Sequence, residues 1–324
     1  MMKLSCGLIP TPDVVRLARS AERLGYERVW LPDSPVLYGD VWIAIARILE
    51  GTERLGAGTA VLVPHLRHVV VTAAAIGTIE QLAPGRLEVA LGTGFTARAM
   101  MGKPPLTWKY MESYVRALQA LLAGEEATVD GAVVTLLHPD RLLARRPIRT
   151  PLLLASNGTR GIEMAQRLGL GHMCAGLVPS GAHDSRFVAF GTVLDDGETF
   201  QSDAVFERLA PNIAVLYHAA YGASREAVDN LPGGAGWRAA LEAVPERVRH
   251  LYLHEGHLVE VSVRERPHLS RDLGVMTFSG TRAEMRQKVA DLAAAGVSEF
   301  IFWPGGRDLE RELRAMAEAM AAPV

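Results

Sequence analysis

The chain has little of what would narrow its function quickly. Only two cysteines occur in 324 residues, Cys6 and Cys174. Both sit in strand-like segments without metal-type spacing, so they read as reduced core thiols and exclude a disulfide framework. The formal net charge is −2 with 22% charged residues, so no basic excess points to a nucleic-acid or anionic-membrane partner. No run of about 18 apolar residues is present, and the apolar stretch in MMKLSCGLIPTP is too short for a signal peptide. A soluble, cytoplasmic protein is expected. No internal repeat or low-complexity linker marks a boundary. At 49% hydrophobic residues, a chain of this length buries a sizeable core as one large domain or two ordinary ones.

The most informative stretch is LEVALGTGFTARAMMGKPPLTW, residues 87–108. Leu87, Val89, Ala90 and Leu91 form a short apolar run bounded by Gly85 and Gly92, the pattern of a strand covered on both faces. Gly92-Thr93-Gly94-Phe95-Thr96-Ala97 also fits the dinucleotide fingerprint G-x-G-x-x-A. That fold needs an acidic residue ending the next strand about 20 residues on. The acid at that distance, Glu112, lies in MESYVRALQALLAG, whose apolar spacing is helical. The other reading is a strand end followed by glycines that permit tight backbone at the mouth of a sheet or barrel.

Taken in order, the chain alternates strand and helix. Residues 3–9 read as a strand, and Thr11-Pro12 as an N-cap with proline at the first helical position, opening a helix to Leu24 that Gly25 stops. Residues 28–31 form the second strand and 40–49 a helix. The third unit is a strand over 55–62, a loop over 63–68 and a helix over 69–82, and the stretch at 87–108 is the fourth. Strands five, six and seven are expected at 151–155, 171–175 and 187–194, the last closed by Asp195-Asp196-Gly197. Thr281 with Glu284 makes a capping box, Gly296 ends that helix, and 299–303 is the eighth strand. Eight strands with helices between them predict an α/β fold, a (β/α)₈ TIM barrel, in preference to an open sheet. Two segments exceed barrel connections, 125–149 after strand four and 199–273 after strand seven. The second holds a break at Pro232-Gly233-Gly234 and the histidine-rich HEGHLVEVSVRERPHL. One domain over residues 1–324 with an inserted helical region at about 199–273 is the simpler reading, the insertions serving as lids or walls.

In such a barrel the active site lies at the carboxyl ends of the strands. The residues there include Asp33 and Ser34, residues 60–68, 93–98, 156–160 and 303–307. They offer no lysine placed for a Schiff base and no paired carboxylates. Asp33, His65 and His68 can be imagined as metal ligands, but the further ligands that a metal hydrolase of this fold takes from other strand ends are missing. No metal is expected. Ser156-Asn157-Gly158-Thr159, with Arg160 beside it, reads equally as a phosphate cradle at a helix start and as an ordinary N-capped turn.

Together these segments resemble the bacterial-luciferase-like flavin-dependent oxidoreductases, a (β/α)₈ family that includes FMN-dependent monooxygenases and F420-dependent dehydrogenases and reductases. The resemblance covers nearly the whole chain. It rests on AERLGYERVWLPDS (21–34), LGAGTAVLVPHLRHVVVTAAAIGTIEQLAPGRLEVALGTG (55–94), the helix with EEATVDG (109–131), PLLLASNG (151–158), and SGTRAEM with AAAGVSEFIFWPGG (279–285 and 293–306). It implies a flavin ring over the end of strand three, with a non-prolyl cis peptide at Ala60-Val61. It also implies cofactor contacts from Asp33, Ser34, Thr93 and Gly94, and a phosphate loop of Ser156, Asn157, Gly158 and Thr159. Where the family usually carries an alanine-aspartate-glycine run, this chain has Leu170-Gly171-His172. The expected activity is a reduced-FMN-dependent monooxygenase acting on a small organic substrate, fed by a separate flavin reductase. The alternatives are an F420-dependent dehydrogenase or reductase and a non-catalytic flavin-binding protein. Assembly as a homo-oligomer is implied by the resemblance. His254, His257 and His65 are the candidate acid or base residues, because histidine titrates near neutral pH and the insertion can fold over the barrel mouth.

Overall fold

The computed structural model describes residues 2–176, 178 and 185–321. Eight parallel strands close into a barrel: β1 Lys3–Gly7, β2 Arg28–Leu31, β3 Gly56–Leu62, β4 Leu87–Leu91, β5 Leu152–Ala155, β6 Gly171–Ala175, β7 Ser185–Gly191 and β8 Val297–Pro304. Each strand pairs with its neighbours in sequence, and β1 pairs with β8 to shut the ring. The helices between them are α1 Val14–Arg23, α2 Val41–Gly51, α3 Val69–Leu82, a short α4 Phe95–Ala99 with α5 Trp108–Ala123, and α6 Thr159–Arg167. After β7 come α7 Asp203–Ala223, α8 Gly234–Glu242 and α9 Glu246–Tyr252; α10 Arg282–Ala294 precedes β8 and α11 Leu309–Met320 follows it. The expected (β/α)₈ barrel is the observed fold. Among the described residues, no helix is long and apolar enough to cross a membrane.

Local differences from the sequence expectation have physical causes. Helix α1 begins at Val14, two residues later than expected, with Asp13 as its N-cap: Thr11, Pro12 and Asp13 form a turn closed by Val14 N–H on Thr11 C=O. The seventh strand splits at Thr192. Its N–H is taken by Ser279 Oγ at 3.0 Å, and Val193–Leu194 leave the barrel to pair with Gly280–Thr281. The insertion after β4 carries a small antiparallel pair, Ala127–Val129 with Ala132–Val134. The region at 199–273 packs around α7 with a hydrophobic cluster of its own, which includes Phe206, Leu209, Ile213, Tyr217, Trp237 and Leu273.

The amino-terminal end of the barrel interior is filled by charge. Arg28 on β2 pairs with Glu88 on β4 at 2.8 Å, and Arg186 on β7 reaches Glu88 at 3.2 Å and Glu299 on β8 at 3.7 Å. Trp30 Nε1 donates to Glu299 at 2.8 Å. Arg28, Glu88 and Glu299 are all buried. Two glycines on β3 make room: a Cβ at Gly56 would stand 2.0 Å from the Arg28 guanidinium, and one at Gly58 would stand 2.6 Å from the Trp30 ring. Removing one partner from such a network leaves an uncompensated buried charge, which costs about 3–5 kcal/mol. Glu88→Ala is therefore expected to lower the unfolding free energy by about that amount. Urea titration measures it, and an unchanged midpoint would mean that the guanidinium groups find other partners.

Candidate active site at the barrel mouth

A cavity of about 400 Å³ opens at the carboxyl ends of the strands, within the usual size range for ligand pockets. Its walls are mainly apolar and come from nearly every strand tip: Ala60 and Val61 near the end of β3, Gly92 after β4, Ala155, Ala175, Phe190 and Trp303. The tips of β3 to β6 carry small residues where the interior below carries large ones, so the space remains open there. The peptide between Ala60 and Val61 is cis, as the resemblance implies, and the β3–β4 register shifts there. A Cβ at Gly92 would meet the Val61 side chain at 2.4 Å, so glycine at this tip is what lets β4 pass the Val61 bulge.

Most of the expected cofactor residues converge on this space. Asp33, Ser34, Ala60, Val61, Thr93, Gly94, Ser156 and Asn157 line it, while Gly158 and Thr159 stand exposed at its rim. Asp33 is committed to the protein. Its carboxylate accepts from Arg67 at 2.7 Å and from Val63 N–H at 3.3 Å, and Arg67 also holds Asp40 at 2.7 Å. Burial pushes the Asp33 carboxyl up, with the Arg67 charge working against it. This chain of charges fixes the loop after β3 against β2.

The Ser156 loop is fastened from β6. His172 Nε2 lies 2.8 Å from Ser156 C=O and Nδ1 lies 3.0 Å from Ser185 Oγ. A carbonyl only accepts, so the proton sits on Nε2 and the Ser185 hydroxyl donates to Nδ1. The Asn157 amide is likewise spent on Ala175, accepting from its N–H at 3.0 Å and donating to its C=O at 2.8 Å. His172 thus supplies the polar contact at the sixth strand that the missing alanine-aspartate-glycine run had left open. What remains for an anion is the start of α6, where Gly158 is the N-cap and no side chain caps the helix. A Cβ at Gly158 would meet nothing within 4 Å, so the approach is clear of protein. A helix N-terminus with free N–H groups suits a phosphate.

The three candidate acid or base histidines are not brought together. His257 lines the cavity next to Leu258, which has a left-handed φ of 63°. His254 lies behind it, edge-on to Phe95 with ring centroids 5.4 Å apart. His65 stays in the turn after β3, outside the cavity lining, 3.4 Å from Lys103 Nζ. Burial holds the His254 imidazole down at about 2 and that of His257 at about 3. Both are neutral rings at neutral pH. Neither ring nitrogen of His254 has a hydrogen-bond partner, and leaving such a group buried costs on the order of 1–3 kcal/mol. Sequence reasoning missed Tyr38, whose hydroxyl donates to His257 C=O, His218, which meets His257 from α7, and Glu265, which holds His218.

A family profile described as luciferase-like monooxygenase matches residues 5–299. The chain belongs to this family. One curated relative is the F420-dependent glucose-6-phosphate dehydrogenase of Beutenbergia cavernae, 32% identical over 180 residues, which cover 50% of this chain and 52% of that one. The chain spans about half the length of the first curated relatives it matches. Among solved structures, the coenzyme F420 dependent tetrahydromethanopterin reductase of Methanopyrus kandleri superposes with a TM-score of 0.68 at 15% identity, over 98% of each chain. The oxygenating constituent of 3,6-diketocamphane monooxygenase from Pseudomonas putida, in complex with FMN, superposes with a TM-score of 0.61 at 11% identity, over 99% of this chain and 98% of that one. At those identities the two structures bear on the fold alone. The family is one of oxidoreductases.

The buried imidazole of His172 generates a prediction. Burial lowers its pKa, so protonation favours the unfolded chain. Its contribution is complete above the unfolded value of about 6.5 and is lost as the pH falls below it. His172→Gln removes the titrating group. The stability gap between wild type and this variant is expected to shrink steadily from pH 7 to pH 5 in thermal unfolding scans; a gap independent of pH would count against a neutral buried ring.

Proposed function

We propose that the protein is an F420-dependent oxidoreductase that passes hydride between the deazaflavin and a small organic substrate. The observation that supports a tricyclic cofactor with a phosphate is the adjacency of the apolar cavity to the uncapped start of α6. It offers flat walls for a tricyclic ring at one end and free backbone N–H groups for a phosphate at the other. The bound deazaflavin supplies or accepts the hydride, and the chain's part is to bind, orient and exclude water. Ala60, Val61 and Gly92 present the surface against which the ring lies. Residues 156–159, held by His172 and Ala175, receive the phosphate. Val215 of α7 and Leu258 close the cavity from the insertion side, which limits water at the reacting face. His257 stands at the substrate side of the same wall.

The choice of F420 rests on the curated relative at 32% identity, named as F420-dependent. A reduced-FMN monooxygenase is the second reading, supported by the match to the family described as luciferase-like monooxygenase. The apolar walls serve either ring.

Binding and turnover distinguish the two. In fluorescence titrations the wild-type protein is expected to bind F420 more tightly than FMN and to exchange hydride with it without consuming oxygen. Gly158→Leu is expected to weaken F420 binding about tenfold or more, equivalent to about 1.4 kcal/mol, with the melting temperature unchanged because the position is open. Oxygen consumption with reduced FMN and no turnover with F420 would reverse the assignment. Binding of a cofactor without turnover across a panel of alcohols, aldehydes and imines would indicate a binding protein on this scaffold. Unchanged affinity in the glycine variant would move the phosphate elsewhere.

A further inference from the structure

The insertion brings its two histidines to a third. His218 lies on α7, one turn beyond the cavity-lining Val215, and His254 and His257 lie in the segment after α9. Ring nitrogens of the three come within 4.8 Å of one another, and all three residues are buried. No hydrophobic packing argument accounts for this: three imidazoles share a space in which one ring, His254, has no hydrogen bond at either nitrogen.

The orientation of His218 is set by a carboxylate. Glu265 Oε1 stands 2.6 Å from His218 Nε2, which puts the proton on that nitrogen and leaves the Nδ1 lone pair facing the cluster. Glu265 is in turn held by Ser262 Oγ at 2.8 Å and Trp237 Nε1 at 3.2 Å. A carboxylate behind a histidine, fixing its tautomer and raising its basicity, is how metal-bound imidazoles are normally supported. His218 Nδ1 and His257 Nδ1 are 3.3 Å apart. Two nitrogens each about 2.0–2.1 Å from a tetrahedral zinc ion are separated by roughly 3.3–3.4 Å. A hydrogen bond between the two rings fits the same distance, but it leaves His254 unexplained.

We propose that His218, His254 and His257 form a binding site for one divalent first-row transition metal ion of the zinc type, with Glu265 orienting His218. Three neutral imidazoles select zinc, cobalt, nickel, copper or iron over magnesium and calcium, which take oxygen ligands. The ion ties α7 to the His254–His257 turn. Because His257 also lines the cavity, the metal stands directly behind the wall on the insertion side, outside the strand-tip residues assigned to the cofactor. A set of three protein ligands leaves a fourth position for water or another donor.

The test uses the full chain, stripped with a chelator and titrated with Co²⁺ alone. One ion per chain is expected, with the visible d–d bands of a nitrogen-ligated cobalt site, displaced by Zn²⁺ and unaffected by Mg²⁺. His254→Ala is expected to abolish the bands, Glu265→Gln to weaken binding by about 10–100-fold, and His138→Ala, at an exposed position, to leave it unchanged. Absence of the bands in wild-type protein overturns the proposal, as does binding of equal strength in the His254→Ala protein. Should His254→Ala fail to fold by circular dichroism, the wild-type spectrum and the Glu265→Gln affinity decide, and an unchanged affinity in that variant overturns the role of Glu265. All readouts are independent of turnover, so they stand or fall apart from the cofactor assignment.

Discussion

The site depends on how the barrel interior is filled. An eight-stranded barrel has an interior just wide enough to be packed by side chains, so a cavity exists only where that packing is deliberately interrupted. Here the lower interior is occupied by the Arg28–Glu88–Arg186–Glu299 network and Trp30, with Gly56 and Gly58 relieved of side chains so that two large groups fit. Above it lie Leu153, Met173, Val188 and Ile301. At the top, Ala60, Gly92, Ala155 and Ala175 withdraw volume along β3 to β6, opposite the larger Phe190 and Trp303 of β7 and β8. The charged layer seals the floor, and the small tips leave the mouth as the way in.

Polar groups near the mouth are mostly consumed in holding one another. Asp33, Arg67 and Asp40 form one chain, and His172, Ser156, Asn157 and Ala175 form another. Each chain spans a loop and a neighbouring strand, so each converts a flexible βα connection into a fixed rim. The consequence for chemistry is that Asp33, although it lines the cavity, meets a ligand as half of an ion pair and not as a free carboxylate. The groups left for recognition include backbone N–H groups at the start of α6, the Ser34 and Thr93 side chains and apolar surface, a combination suited to a flat ring with an anionic tail.

The barrel was legible in the sequence because its evidence is local. Short apolar runs, glycines at helix ends and the Thr281–Glu284 box each follow from nearest-neighbour physics, and the α3 expectation agrees with the structure over Val69–Leu82. The strand-tip residues were legible for the same reason, since the fold dictates which end of a strand faces the site. What the sequence hid are pairings between distant segments. The split at Thr192 depends on Ser279, the Ser156 loop on His172, and the orientation of His218 on Glu265, 47 residues away. None leaves a periodicity or a spacing. The pair His254 and His257 did stand out in the sequence, but as an acid or base pair. The third ring that changes their chemistry lies on a helix whose pattern reads as packing.

The same division explains why the family spans two cofactor chemistries. Much of the pocket wall built by the barrel is apolar, with alanine, glycine and valine beside Phe190 and Trp303, groups that would touch any tricyclic ring without reading the atom that differs between flavin and deazaflavin. A scaffold of that kind cannot enforce oxygen or hydride chemistry by itself. Under the proposed reading, discrimination comes from what covers the ring; on the insertion side of the cavity stand Val215, His257 and Leu258, with His218 and His254 behind them. The insertion has its own hydrophobic cluster, so its sequence can diverge without disturbing the barrel core. The side chains on that face of the cavity therefore belong to a segment packed around a cluster separate from the barrel core.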